Sequence, residues 1–123
     1  MKIRISTRVV LVFDKHVIKI PVSYRGYLQC KNEWELWNKY SSTGLLGKMY
    51  WYRFGLVCME RYRRATQSPL DKICEVKNKI PELNIINCDL HVTANWGFQQ
   101  GNYYLIDYGI NERISKMYKE KQI

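Results

Sequence analysis

VVLVFDKHVIKI, the stretch from Val9 to Ile20, holds two β-branched runs separated by the polar step Asp14-Lys15. Such runs predict a β-hairpin, and Pro21 predicts its end. Successive side chains of a strand point to opposite faces, so Lys19 shares a face with Val17. A lysine among apolar strand residues needs an anionic partner. The stretch therefore predicts a hairpin whose lysine is paired with an acidic group from elsewhere in the chain.

The residues after this hairpin predict a helix and two more strands. A helix is expected from Tyr27 to Tyr40, because apolar residues fall at helical spacing, namely Tyr27, Cys30, Trp34 and Trp37. The segments Met49 to Phe54 and Leu56 to Met59 predict strands broken at Gly55. We expect the helix to cover the sheet that these strands complete.

The second half of the chain predicts a helix followed by short strands. Ser68 is expected to cap a helix with Pro69 in its first position, and the buried stripe of this helix is Ile73, Val76 and Ile80. Short β segments are expected at Ile85-Ile86, Trp96 to Phe98 and Tyr103 to Ile106, with a turn over Gln99 to Asn102 between the last two. A basic helix is expected from Glu112 to Lys119.

Composition narrows the class of protein. The chain has 123 residues, 46% of them apolar, which fits one globular domain with its own core. A formal charge of +9 favours anionic partners such as nucleotides or nucleic acid. The four cysteines form no CxxC pair, which favours free thiols in a reducing cytoplasm. No apolar run is long enough to cross a bilayer, so no membrane partner is expected.

Two polar clusters sit among the late apolar segments. The first runs from Asp89 to Asn95 and the second is Asp107-Tyr108-Gly109. Carboxylate and amide oxygens are hard ligands that suit Mg²⁺ bound to phosphate oxygens. Lys19 supplies the cation that a phosphate would also need. These residues indicate a site for a phosphorylated ligand.

The order of these residues resembles that of the protein-kinase-like fold, closest to the small kinase-like proteins of bacteria and their phages. His16-Val17-Ile18-Lys19 is similar to the V-A-I-K strand motif, which implies that Lys19 binds the ATP phosphates and Val17 lines the adenine. Glu35 is similar to the helix glutamate that holds this lysine, with Glu33 as the neighbouring alternative.

The same resemblance assigns the remaining roles. The segment Leu56 to Tyr62 is similar to the fifth strand and hinge, which implies a gatekeeper at Met59 and backbone contacts to adenine from Glu60 and Tyr62. Asp89-Leu90-His91 followed by Asn95 is similar to the catalytic loop, with Asp89 as base and Asn95 as a Mg²⁺ ligand. Asp107-Tyr108-Gly109 is similar to the D-F-G element, which implies that Asp107 is the main metal ligand.

The chain also departs from the family pattern. No G-x-G-x-x-G loop precedes Val9, and few residues follow Gly109. The predicted fold is therefore an α+β, reduced kinase-like fold with a small antiparallel sheet, one helix and a truncated C-lobe. We expect residues 1–123 to form one domain, with about 1–60 as the N-lobe and about 61–123 as the truncated C-lobe.

The sequence is compatible with three functions. The first is a minimal kinase-like protein that binds ATP and Mg²⁺ and transfers phosphate slowly to an acceptor or to itself. The second is a catalytically inactive, kinase-derived binding or inhibitor protein, phage-encoded and acting in the host cytoplasm on a protein or nucleic acid. The third is a small basic nucleic-acid-binding protein that uses Arg61-Tyr62-Arg63-Arg64.

Overall fold

The larger of two sheets occupies the first half of the chain. The computed structural model describes residues 2–5, 7–83 and 90–108. The strands of this sheet are β1 (Lys2–Ile5), β2 (Arg8–Val12), β3 (His16–Pro21), β4 (Met49–Arg53) and β5 (Leu56–Glu60). They pair antiparallel in the order β1-β2-β3-β5-β4. Helix α1 (Tyr24–Tyr40) connects β3 to β4 and packs on the sheet.

The second sheet is smaller and lies in the later part of the chain. It is antiparallel and consists of β6 (Arg63–Arg64), β7 (Trp96–Gln99) and β8 (Asn102–Leu105). Helix α2 (Leu70–Lys79) lies between β6 and β7 in the chain. These elements confirm the α+β class with antiparallel sheets that the sequence predicts.

The first hairpin forms where the two β-branched runs predict it. The Phe13 amide donates to the His16 carbonyl at 2.8 Å, which closes the turn over Asp14 and Lys15. This turn sets the register of the sheet, in which Val10 lies opposite Lys19 and Lys19 lies opposite Val57. Strand β1 is an addition that the sequence patterns do not predict.

Helix α1 begins earlier than its apolar spacing predicts. Ser23 caps it by accepting a hydrogen bond from the Gly26 amide at 3.0 Å, so the helix starts at Tyr24 and not at Tyr27. Its buried side chains also differ from the predicted stripe, because Tyr27 is exposed while Trp34 and Trp37 are half-buried. The buried positions are Gly26, Gln29, Cys30, Glu33 and Leu36.

Helix α2 has the predicted buried stripe but a different start. Ile73, Val76 and Ile80 are buried in the core. Ser68 does not cap the helix; its hydroxyl donates to the His91 carbonyl at 2.6 Å, and Pro69 stands at the N-cap without a side-chain hydrogen bond. Ser68 therefore ties the start of α2 to the segment that leads into β7.

Three sequence predictions lie wholly outside the described residues, and so does Gly109 of the D-Y-G element. They are the strand at Ile85-Ile86, the helix from Glu112 to Lys119 and the catalytic-loop aspartate Asp89. Within the described ranges, Cys30, Cys58 and Cys74 are free thiols, as the spacing of the cysteines predicts. The helices of these ranges include none that is long and apolar enough to span a bilayer.

Gly97 allows β7 to pack closely against Tyr62. A Cβ built on Gly97 would overlap the Tyr62 Cβ and approach the Ile106 side chain. We predict that Gly97→Ala lowers the free energy of unfolding by about 1–3 kcal/mol, because the core must shift to admit one methyl group. Urea unfolding would measure this loss. An unchanged midpoint would show that Tyr62 does not hold this position.

Candidate functional site

Lys19 and Glu33 form a buried ion pair between β3 and α1. Lys19 lies opposite Val57 in the sheet, and both side chains are buried on the face that α1 covers. Its Nζ lies 2.7 Å from Oε2 of Glu33 on α1, and the Glu33 side chain is fully buried. A charged pair in this environment is stable only when both partners are present. Lys19 therefore has an anionic partner, as its position in the strand predicts, and this partner is Glu33.

The prediction that Glu35 is this partner is wrong. Glu35 is exposed on α1, two positions from the carboxylate that binds Lys19. Two positions on a helix point in directions about 200° apart, so only one of the two glutamates can face the sheet. The side chains of α1 that face the sheet include Cys30 and Glu33, in line with Gly26. A helix rotated so that Tyr27 and the tryptophans face the sheet would point Glu33 away from Lys19.

Arg8 is a second cation at this site, and it is not among the residues that the sequence predicts for the site. Its Nη1 forms an ion pair with Oε1 of Glu33, and its Nη2 lies 3.3 Å from Oδ1 of Asp107. Only 5% of Arg8 is exposed. Burial disfavours its charge, but the carboxylates of Glu33 and Asp107 outweigh this effect and raise the pKa of Arg8. Arg8 thus joins the helix carboxylate to the aspartate that follows β8.

The turn length of the hairpin contains a signal for Arg8. A two-residue turn over Asp14-Lys15 fixes the register that pairs Val10 with Lys19. Strand alternation then puts Arg8 on the same face as Val10, next to Lys19. The hairpin alone could therefore have indicated two cations, not one, beneath the helix.

Lys19 also contacts the segment that leads to Asp107. Its Nζ donates to the Ile106 carbonyl at 3.1 Å. The Ile106 amide in turn donates to the Asn95 carbonyl at 2.9 Å, which holds Asn95 beside the residue that precedes Asp107. These two hydrogen bonds place the Lys19 ammonium group and the Asn95 backbone at Ile106, the residue that precedes Asp107.

Charge is balanced within this group of side chains. Arg8 and Lys19 contribute two positive charges, and Glu33 and Asp107 contribute two negative charges. Glu33 is fully buried between both cations, whereas 47% of the Asp107 side chain is exposed. Asp107 is therefore the member of the group that an incoming ligand can reach most directly.

Cys30 lies against the same group but is not suited to reaction. Its Sγ is 3.7 Å from Nη1 of Arg8, and it donates a weak hydrogen bond to the Lys19 carbonyl at 3.8 Å. Burial raises the pKa of this thiol, so it remains protonated at neutral pH. Cys30 is a structural neighbour of the site.

The residues predicted to contact adenine lie near the start of β3 and near the end of β5. Val17 is directly opposite Met59, and Met59 is buried. The Glu60 amide already donates to the Lys48 carbonyl at 2.8 Å, which removes that amide from the groups available to adenine. The Glu60 carbonyl and the backbone of Tyr62 stay the predicted contacts to adenine.

Tyr62 has a structural role beyond its predicted backbone contact. Its hydroxyl accepts a hydrogen bond from the Lys48 amide at 2.9 Å, and its ring lies 5.1 Å from the ring of Tyr104. Burial raises the pKa of Tyr62 to about 12. Tyr62 therefore links the segment before β4 to strand β8.

Tyr108 anchors the residue before it. Its buried hydroxyl donates to the Gly47 carbonyl at 3.0 Å, and burial raises the pKa of this phenol well above its ordinary value. A neutral, hydrogen-bonded tyrosine at this position fixes the backbone that carries Asp107. The middle residue of the D-Y-G element thus has a direct structural function.

The site offers few side-chain donors for a metal ion. Among residues 2–5, 7–83 and 90–108, no three His, Cys, Asp or Glu side chains are grouped as a metal-binding cluster. Mg²⁺ often needs only one or two protein oxygens together with substrate phosphates, and Asp107 offers one carboxylate that is about half exposed. A metal ion at Asp107 would compete with the Arg8 guanidinium for the same carboxylate.

Comparisons of this chain with protein-family models, with curated proteins and with solved structures found no match.

Proposed function

We propose that this chain is a minimal kinase-like protein that binds ATP with Mg²⁺ beside Lys19. One observation supports this most: Lys19 of β3 pairs with Glu33 of α1 and bonds the Ile106 carbonyl, and Arg8 joins the same Glu33 to Asp107. A lysine held by a buried carboxylate, next to an accessible aspartate, has the charge pattern that bound phosphates require. ATP use also suggests a cytoplasmic location.

The proposal assigns a role to each described residue. Lys19 turns one N–H toward the phosphates while Glu33 keeps its ammonium group in place. Asp107 and Asn95 would hold Mg²⁺, which supplies positive charge that offsets the phosphate charge. Val17 and Met59 line the adenine, and the backbone of Glu60 and Tyr62 bonds its edge. Asp89 remains the predicted base.

Two donor hydrogens of Lys19 already have partners. Among the described residues these partners are Glu33 and the Ile106 carbonyl. An ammonium group has three donors, so a phosphate oxygen can be bound without breaking the Glu33 pair. The Lys19 side chain is only 7% exposed, so binding requires a small opening beside Ile106.

A second function is favoured by Arg8. Its guanidinium supplies at Asp107 the positive charge that a metal ion would otherwise supply. This arrangement suits a catalytically inactive, kinase-derived binding protein in which the group of charges has become structural. Incubation with radiolabelled ATP separates the two: slow incorporation into the chain or an added acceptor supports phosphotransfer, and no incorporation supports the binding protein.

The ligand proposal can be tested by melting temperature. We predict that ATP with Mg²⁺ raises the melting temperature of the wild type, because a ligand that binds only the folded state stabilises it. In Asp107→Ala the part of this rise that depends on Mg²⁺ should disappear. The side chain is about half exposed and Arg8 keeps Glu33 as a partner, so the variant should fold. An equal Mg²⁺-dependent rise in both proteins would reject the metal assignment.

A further inference from the structure

The five-stranded sheet has one face that α1 covers and one that it does not. Register rows place Ile3, Leu11, Ile18 and Cys58 on the same side, opposite to Lys19 and Val57. The apolar residues of this side are here called the outer face; its members are Ile3, Ile5, Val9, Leu11, Ile18, Ile20, Trp51 and Leu56. Each of these side chains is half-buried or exposed, whereas Cys58 on the same side is buried.

The composition of the outer face is unusual for a surface. Antiparallel sheets that face water on one side normally place polar residues there. On this face the most exposed members are still isoleucines, with Ile3 at 55% and Ile5 at 75% exposure. Five strands about 4.8 Å apart and about five residues long give a mostly apolar sheet face with a footprint on the order of 400 Å². A patch of this size on a monomer is commonly an interaction site.

Charge is confined to the two ends of the outer face. Arg53 lies beside Leu56 at one end, where its guanidinium carbon is 5.9 Å from the centroid of the Trp51 ring. Glu60 lies at the opposite end, where it accepts a hydrogen bond from Tyr50 at 3.1 Å. The outer face therefore has Arg53 at one end, an uncharged centre and Glu60 at the other end.

We propose that a second copy of this chain packs on the outer face, sheet against sheet. A two-fold axis in the interface, perpendicular to the strands, would reverse the strand direction between copies and place Arg53 of each near Glu60 of the other. The interface is thus self-complementary in charge, as an isologous dimer requires. Nucleic acid is a poorer occupant, because the centre of the face offers no cation to phosphate.

The expected dimer is weak. About 400 Å² of projected surface on each copy is below the roughly 800 Å² of accessible surface per partner in a standard interface. Two chains of charge +9 also repel each other at low salt. Association should therefore depend on concentration and become stronger when added salt screens this repulsion.

Sedimentation equilibrium over a range of protein concentrations tests this proposal. The wild-type mass should rise from 14.8 kDa toward twice that value as concentration increases. Ile5→Glu should weaken the dimer by more than about tenfold, because a charge would be buried against the partner sheet. Leu70→Glu is the matched control, since Leu70 is 66% exposed on α2, away from the outer face. This control should associate as the wild type does.

A charge exchange tests the two-fold arrangement itself. Arg53→Glu should weaken association, and adding Glu60→Arg to it should restore association, because opposite charges again meet across the axis. Circular dichroism would confirm that each variant is folded. A wild type that stays monomeric at every concentration, or an Ile5→Glu variant that associates like Leu70→Glu, would overturn the proposal. Failure of the charge exchange to restore association would overturn the two-fold axis.

Discussion

Replacing Glu33 with glutamine is expected to destabilise the protein by about 3–5 kcal/mol, the largest effect of any single side-chain change at the site. Glu33 is fully buried and is the shared partner of Arg8 and Lys19. Glutamine would keep the shape of the side chain but leave two buried cations with only Asp107 to balance them. A deficit of this size is a large part of the total stability of a small domain.

Urea unfolding of Glu33→Gln beside Glu35→Gln measures this effect. The two changes are chemically identical and lie two positions apart on α1, but Glu35 is exposed. Glu35→Gln should stay within about 0.5 kcal/mol of the wild type. Failure of Glu33→Gln to fold while Glu35→Gln folds would agree with the prediction. Equal stability of the two variants would show that Glu33 does not hold the cations.

Replacing Lys19 with methionine is expected to act on ligand binding more than on stability. Glu33 would keep Arg8 as its ion-pair partner, so the carboxylate is not left unpaired. A hydrogen bond to a charged group contributes about 1.5–3 kcal/mol, so the loss of the Lys19–phosphate contact should weaken ATP binding by about 10- to 100-fold. Competition with a fluorescent ATP analogue would measure this change. A variant that binds ATP as tightly as the wild type would remove Lys19 from the proposed site.

Much of the strand architecture could be predicted because its signals are local. The hairpin, the break at Gly55 and the strands around Trp96 and Tyr104 follow from alternation and from turn residues. The position of Lys19 follows from the same alternation. Each of these features is decided by residues close together in the sequence, so no tertiary information was needed.

The features that were missed depend on tertiary packing. The choice between Glu33 and Glu35 depends on which way α1 rotates against the sheet, and the large side chains of Trp34 and Trp37 favour a different rotation from the one that buries Cys30. Ser68 has the composition of a helix cap, but the nearby His91 carbonyl offers its hydroxyl another acceptor. Long-range contacts override local preferences in both cases.

Isothermal titration of ATP with Mg²⁺ into the wild type, Lys19→Met and Lys77→Met tests the central claim most directly. Lys77 is an exposed lysine of α2, so its replacement removes the same charge away from the site and accounts for non-specific attraction of ATP to a chain of charge +9. The proposal predicts saturable binding by the wild type and by Lys77→Met, and binding at least about tenfold weaker by Lys19→Met. No saturable binding by the wild type, or equal binding by the two variants, would contradict it.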